Sequence, residues 1–341
     1  MKKYFYRFLL CVVLLFPACS CLTEGGIQQI LGSSPSAPVF IDCKPVSATE
    51  VVFRFSVPVR VVQLNLDPDL EAEPIEEGRE VKITFARPPE AGRKITADIL
   101  VEDTDRNTLN VIVPFRARND RMPVLVFNEL RFDYTKPKTE FVEFKVLESG
   151  NLGAMRLFIA HQSLTEPFYE FPPAEVKKGD YIVLHTRTVE EGCVDETGKD
   201  LGLSKGTEAL GTARDFWIPG NKKLLHNTNG LWLLDQDDRV LDALLICETA
   251  NLEGISAALA KTFTAAAEFL GREQAWLPPS GAPQAGWVPS SSDAVLTKGT
   301  SNTKTLCRDE SLPPGRRAGN WYITATSNAT PGAANSTKRL Q

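Results

Sequence analysis

Two hydrophobic periodicities run along this chain, and the shorter one dominates. Residues 50–57 (EVVFRFSV) set Val51, Phe53, Phe55 and Val57 against Val52, Arg54 and Ser56. A period of two marks a half-buried strand. The stretches 61–66, 80–85, 94–101 and 109–115 repeat it, with Val81, Ile83 and Phe85 sharing one face. Pro58 is expected to end or edge the first strand, because it has no N–H to give a ladder. Turn-forming clusters at Asp67-Pro68-Asp69, Pro88-Pro89 and 103–107 separate these runs. Short alternating strands at this spacing predict a β-sandwich over residues 39–119.

The pattern resumes at 124–131 (VLVFNELR), 140–147 (EFVEFKVL), 152–161 (LGAMRLFIAH) and 181–186 (YIVLHT). A hairpin follows, 230–234 and 239–246, around the acidic turn 235–238. Residues 187–215 are polar without a period and read as an extended loop. Helical spacing marks 252–272, where Ile255, Leu259, Phe263, Ala266 and Leu270 fall on one stripe. That helix lies within an insertion, 251–298, whose second part is rich in Pro, Gly and Ser and carries Trp287. A long loop that adds its own element is a common place for contacts. Phe263, Trp276 and Trp287 are therefore candidate contact residues; the alternative is a helix packed as a lid on a sandwich face. The fold class expected is all-β, with a second domain over residues 122–336.

The N-terminus adds an address. A basic start (Lys2, Lys3, Arg7) precedes nine apolar residues, 8–16, too few to span a bilayer. This is the layout of a secretory signal peptide, residues 1–18. Pro17-Ala18-Cys19-Ser20-Cys21 then resembles the lipobox of bacterial lipoproteins. The resemblance implies a lipid on Cys19, with Cys21 as the fallback, and Phe16-Pro17 departs from the usual pattern. Residues 19–38 read as a Gly/Ser/Pro-rich tether. The chain is then exported and held to the cell membrane or outer membrane by acyl chains, periplasmic or surface-exposed.

Charge and cysteines narrow the partners. The whole sequence carries 38 basic and 43 acidic residues, for a net −5. Removing the signal peptide takes away three bases and no acid. Nucleic acid is not the expected partner of such a chain, which lacks an overall basic balance. Export makes disulfides possible. Among Cys193, Cys247 and Cys307 one bridge is as plausible as buried free thiols, and no C-x-x-C pair suggests a metal.

Candidate chemistry is thin. Gly202-Leu203-Ser204-Lys205-Gly206 fits G-x-S-x-G, but a polar stretch stands where a nucleophile elbow needs a strand. His161, His185 and His226 lack metal-type spacing; His161 and His185 read as rim residues at strand ends. The acidic turns 102–105 and 235–238 lack the Gly and terminal Glu of a calcium loop. Glu129 and Glu143 could face each other on neighbouring strands as an acid/base pair. No cofactor and no metal set are expected.

Two resemblances complete the reading. The FSVPV at 55–59, the 94–101 strand and the acidic turn before Asn107 loosely resemble bacterial immunoglobulin-like domains. From 124 to 336 an ordered series is similar to the lamin-tail domain, an immunoglobulin-like sandwich of nuclear lamins and exported bacterial proteins. It comprises Asn128, Glu129, Glu143, Phe144, Gly179, Gly230, Leu231, Leu233, Asp235, Asp242, Arg308, Trp321, Pro331, Gly332 and Asn335. The chain departs in length, being about twice the family's domain through 187–215 and 251–298. The resemblance implies that these positions define the fold and that Glu129 and Glu143 are structural. The expected function is non-catalytic binding, adhesion or scaffolding at the cell envelope, not an enzyme. The alternatives are an exported nuclease- or esterase-like hydrolase and a nucleic-acid-binding protein.

Overall fold

The computed structural model describes residues 37–74 and 77–341. The signal segment, Cys19, Cys21 and the tether through residue 36 lie outside the described residues. The described residues divide into two compact units, one running through Arg87 with Ile95–Phe115 and the other formed by Pro88–Lys94 with Arg116–Gln341. The architecture is all-β, with one α-helix among the described residues.

The first unit holds β1 (Phe40–Pro45), β2 (Glu50–Asp67), β3 (Ala72–Pro74), β4 (Gly78–Phe85), β5 (Lys94–Asp103) and β6 (Thr108–Arg116). They hydrogen-bond in the order β3-β4-β2-β5-β6, with β1 also on β2. The alternating residues Val51, Phe53, Phe55, Val81, Ile83, Ile95, Ala97, Ile99 and Val101 are all buried. Phe53 meets Phe115 edge to face at 6.0 Å. Pro58 does not end its strand: β2 runs for 18 residues through it. Pairing to β4 shifts register between Arg54 and Val59, and pairing to β5 begins at Val59. The missing N–H therefore falls where the strand changes partners.

The second unit begins with β7 (Val124–Arg131), β8 (Phe141–Glu148), β9 (Gly150–Asn151), β10 (Arg156–Ile159), β11 (Tyr169–Glu170) and β12 (Glu175–Val176). It continues through β13 (Tyr181–His185), β14 (Arg214–Trp217), β15 (Asn229–Leu234), β16 (Val240–Cys247) and α1 (Ala257–Arg272). It closes with β17 (Val295–Leu296), β18 (Leu306–Arg308) and β19 (Trp321–Ile323). One sheet runs β14-β13-β8-β7-β18-β19 and another β11-β10-β15-β16-β17; β12 and β9 form a small ladder. Leu125, Phe127, Val142, Phe144 and Leu184 of the first share a core with Leu157, Ile159, Leu231, Leu233, Leu244 and Ile246 of the second. The expected strand 152–161 shrinks to β10, because Ala154 takes a left-handed φ of 69° and Met155 N–H turns back onto the Leu152 carbonyl.

Helix α1 starts at Ala257 and not at 252, since Leu252 (φ 59°) and Gly254 (φ 76°) are left-handed. Ser256 caps it, its Oγ accepting from Leu259 N–H at 3.4 Å. Phe263, Ala266, Ala267 and Leu270 face β15 and β16. A Cβ on Gly230 would lie 2.5 Å from that of Ala266, so the bare backbone of β15 permits this close approach. Trp232 lies beneath Phe269 at 4.6 Å. With core on one side and helix on the other, β15 is buried along its whole length. This corrects the expectation of a contact surface. Phe263 is 2% exposed and Trp276 1%, both in the core, and Trp276 Nε1 donates to the Asp293 carbonyl at 3.0 Å. Trp287 is half-buried against the same core. The apolar stripe is spent on packing, so the insertion is a lid.

Candidate functional site

The densest polar cluster lies on the outer face of the β8-β7-β18 sheet, beneath the C-terminal segment. β7 carries a register shift between Phe127 and Glu129: Phe127 pairs with Phe144 and Glu129 with Glu143. Asn128 is thus the extra residue of a bulge, and bulges re-aim side chains. Asn128 Nδ2 donates to Glu143 at 2.8 Å and to Glu310 at 3.0 Å. Glu129 and Glu143, cross-strand partners, are both fully buried.

The C-terminal segment supplies the donors. Thr330 N–H reaches both Glu129 oxygens at 3.1 Å, and Thr330 Oγ1 adds a bond at 3.2 Å. Thr305 Oγ1 also bonds Glu129. Gly332 N–H donates to Glu143. Gly332 has φ 80°, and a Cβ there would come within 2.8 Å of Ala213 and 2.9 Å of Leu210, so this turn requires glycine. Pro331 lies between these two donors. Asn335 Nδ2 donates to the Asn128 carbonyl at 3.1 Å and to the Arg308 carbonyl at 2.9 Å. Glu310 is met by Lys145 Nζ at 2.6 Å and Tyr181 OH at 3.3 Å.

One step inward, Arg308 NH2 bonds Asp242 at 2.6 Å, NH1 bonds the Gly315 carbonyl at 2.8 Å, and Nε bonds the Phe127 carbonyl. Its guanidinium lies 4.7 Å from the Trp321 ring centroid. Asp242 also accepts Phe127 N–H at 2.8 Å. The structure thus gathers Asn128, Glu129, Glu143, Pro331, Gly332 and Asn335 beneath the C-terminal segment, with Arg308 and Trp321 on the core side of the same sheet.

Electrostatics follow from burial. Burial raises the Glu129 carboxyl above its ordinary range despite the hydroxyl and N–H donors. Burial and then the neighbouring Glu129 charge raise Glu143 well above 4.5. At Glu310 burial opposes ionisation, yet Lys145, Asn128 and Asn335 hold the carboxyl below its usual value. Burial also raises Asp242, with Arg308 opposing. A carboxyl with a raised folded pKa stabilises the fold most below about 4.5, and that contribution is lost as pH climbs through the folded pKa. Glu143→Gln is therefore expected to gain on the wild type as pH rises, by up to about 1.4 kcal/mol per pH unit. Denaturant unfolding of both proteins from pH 4 to 8 measures it. A pH-independent difference would show that Glu143 ionises in the fold as readily as in the unfolded chain.

A second constellation has the order of a catalytic triad. His185 Nε2 lies 2.7 Å from Asp215 Oδ1, and its Nδ1 lies 3.1 Å from Thr139 Oγ1. His185 is not the rim residue expected from its place at a strand end. It is fully buried, stacked on Trp217 at 3.7 Å, because β14 pairs parallel to β13 and covers it. Thr139 and Asp215 are equally enclosed. Ser204 sits in a loop, its N–H on Glu196 at 3.1 Å. Asp103 and Asp235, at the two acidic turns, each accept two local backbone N–H groups on Oδ1. Cys43, Cys193, Cys247 and Cys307 are free thiols.

The second unit also has an open groove of about 830 Å³, lined by Arg121, Lys177, Lys199 and Arg214 with Glu175 and Asp180. Arg214, 7% exposed, is held by carbonyls: NH1 by Glu196 and by Gly198 at 2.9 Å, NH2 by Glu175 at 2.9 Å. Part of the long loop 187–215 forms one wall. The groove is a product of folding, since its residues are scattered from 121 to 214.

Comparison with known proteins gives one family model, TP_1001_2nd, described as a protein second domain, which matches residues 123–323. An uncharacterized protein of Treponema pallidum (strain Nichols) is 29% identical over 178 residues, covering 50% of this chain. The chain spans 44% of that relative's length. Among solved structures, a DUF4876 family protein from Bacteroides thetaiotaomicron aligns over 83% of this chain and 92% of its own, with 11% identity and a TM-score of 0.28.

Proposed function

This chain belongs to the TP_1001_2nd protein second domain family, and we propose that it is a lipid-anchored cell-envelope protein with a non-catalytic binding or scaffolding role. In this reading the second unit is a lamin-tail-like, immunoglobulin-like sandwich, and Cys19 carries the lipid. One observation carries the non-catalytic part. The groups best suited to chemistry, Glu129 with Glu143 and His185 with Asp215 and Thr139, are fully enclosed and bonded to the protein's own atoms. General acid/base groups must come within hydrogen-bond reach of a substrate proton. The same groups serve instead to hold a rigid sandwich shut.

The contact surface we assign is the groove of Arg121, Lys177, Lys199 and Arg214, in place of the insertion. Grooves walled by long loops on a rigid frame are where binding concentrates. The test uses the full chain. Mass spectrometry of the mature protein is expected to find diacylglycerol on Cys19, shifted to Cys21 or absent in Cys19→Ala. The doubly substituted Cys19→Ala, Cys21→Ala chain should still cosediment with isolated envelopes, and Lys177→Glu with Lys199→Glu should abolish this. Metal-dependent nuclease or esterase activity that disappears in Ser204→Ala would sink the non-catalytic reading.

A further inference from the structure

The chain has three histidines, and two of them touch. His161 follows β10 and His226 precedes β15, 65 positions later, yet their ring centroids are 4.1 Å apart at an interplanar angle of 65°. The antiparallel pairing of β10 with β15 brings them together, Ile159 lying opposite Leu231. His161 Nδ1 is buried with no hydrogen-bond partner. Beside it, Asn229 is fully buried; its Oδ1 accepts His161 N–H at 3.1 Å and Gly230 N–H at 2.9 Å, while its Nδ2 has no partner. Buried polar atoms are paired as a rule; the bare imidazole nitrogen calls for a donor or a cation, whereas the Asn229 amide N–H calls for an acceptor such as a water.

The geometry points to a two-histidine site for a divalent transition metal, with His161 and His226 as imidazole ligands and the remaining positions left to water or an exogenous ligand. Imidazole suits zinc, copper and nickel, with copper(II) the strongest by the Irving–Williams order. With metal–nitrogen bonds of about 2.0–2.1 Å, two imidazoles put their centroids roughly 4.5 Å apart at the right angle of a square-planar or octahedral centre, and roughly 5.2 Å apart on tetrahedral zinc. The observed pair needs to open by a few tenths of an ångström for copper(II) or nickel and by about 1 Å for zinc. Among the described residues no group of three or more His, Cys, Asp or Glu could hold a metal ion, so the chain supplies only the two imidazoles. The charged neighbour is Lys223, whose Nζ is engaged by Asp133 at 3.3 Å.

Zinc and nickel titrations of the full chain by calorimetry at pH 7.5 should show one equivalent bound at this site. His161→Gln and His226→Gln should each weaken it at least tenfold, with thermal melts confirming that both variants fold. Acidification should weaken binding progressively, because protonated imidazole does not ligate. With copper(II), electron paramagnetic resonance of the wild type should show hyperfine coupling to two imidazole nitrogens, a readout independent of the variants. An unmodified chain that binds none of these metals overturns the site. So does equal affinity in wild type and both variants, or a copper spectrum without imidazole nitrogen.

Discussion

Asp242→Ala is expected to lower the unfolding free energy by about 3–5 kcal/mol, the cost of breaking a buried ion pair by removing one partner. Asp242 and Arg308 are almost wholly buried, with the guanidinium stacked near Trp321. Without the carboxylate, Arg308 keeps its bonds to the Phe127 and Gly315 carbonyls but holds an uncompensated charge. Phe127 N–H also loses its acceptor, in the middle of β7. The conservative Asp242→Asn retains an acceptor for Phe127 N–H, so it should cost less than alanine. Denaturant unfolding measures both. A loss below about 1 kcal/mol for alanine would mean that the pair behaves as a solvated surface bridge.

Trp276→Ala is expected to cost a similar amount, about 3–5 kcal/mol, because the ring fills core and leaves a cavity. The residue is 1% exposed, and its indole N–H is bonded to the Asp293 carbonyl, which fastens the second half of the insertion to the first. Calorimetric melting reads the loss directly. If Trp276 were a contact residue, the melt would be unchanged and only ligand binding would suffer. The two outcomes therefore separate a lid from a docking surface.

What was legible in the sequence is what repeats locally. β7 falls at 124–131 as its pattern predicts, and the hairpin β15–β16 lies on its apolar runs. The helix stripe was visible too, but its use was not. Apolar spacing identifies a face without saying what covers it, so Phe263 and Trp276 read as available when Gly230 and Trp232 already lay beneath the helix. Long-range placement was hidden for the same reason. His185 stands at a strand end in sequence, and only the parallel strand β14 buries it. His161 and His226 have no motif spacing and meet only through a strand pairing. Glu129 and Glu143 were expected as possible neighbours from their strands, whereas the bulge at Asn128 that aims three polar side chains to one side is a register effect.

The latch under the C-terminal segment has a consequence for the timing of synthesis. Asn335 closes on Asn128 across 207 positions, and β18 fills the edge of β7 only once residue 308 has been made. Until residues 305–335 emerge, β7 presents an open ladder edge flanked by two carboxylates that have lost their donors. Such long-range pairing is slow to form, and unpaired edges recruit other chains. A ribosome that stalls before residue 305 would hold the second unit unfinished. Residues 305–335 thus mark the point at which this unit becomes a folded object.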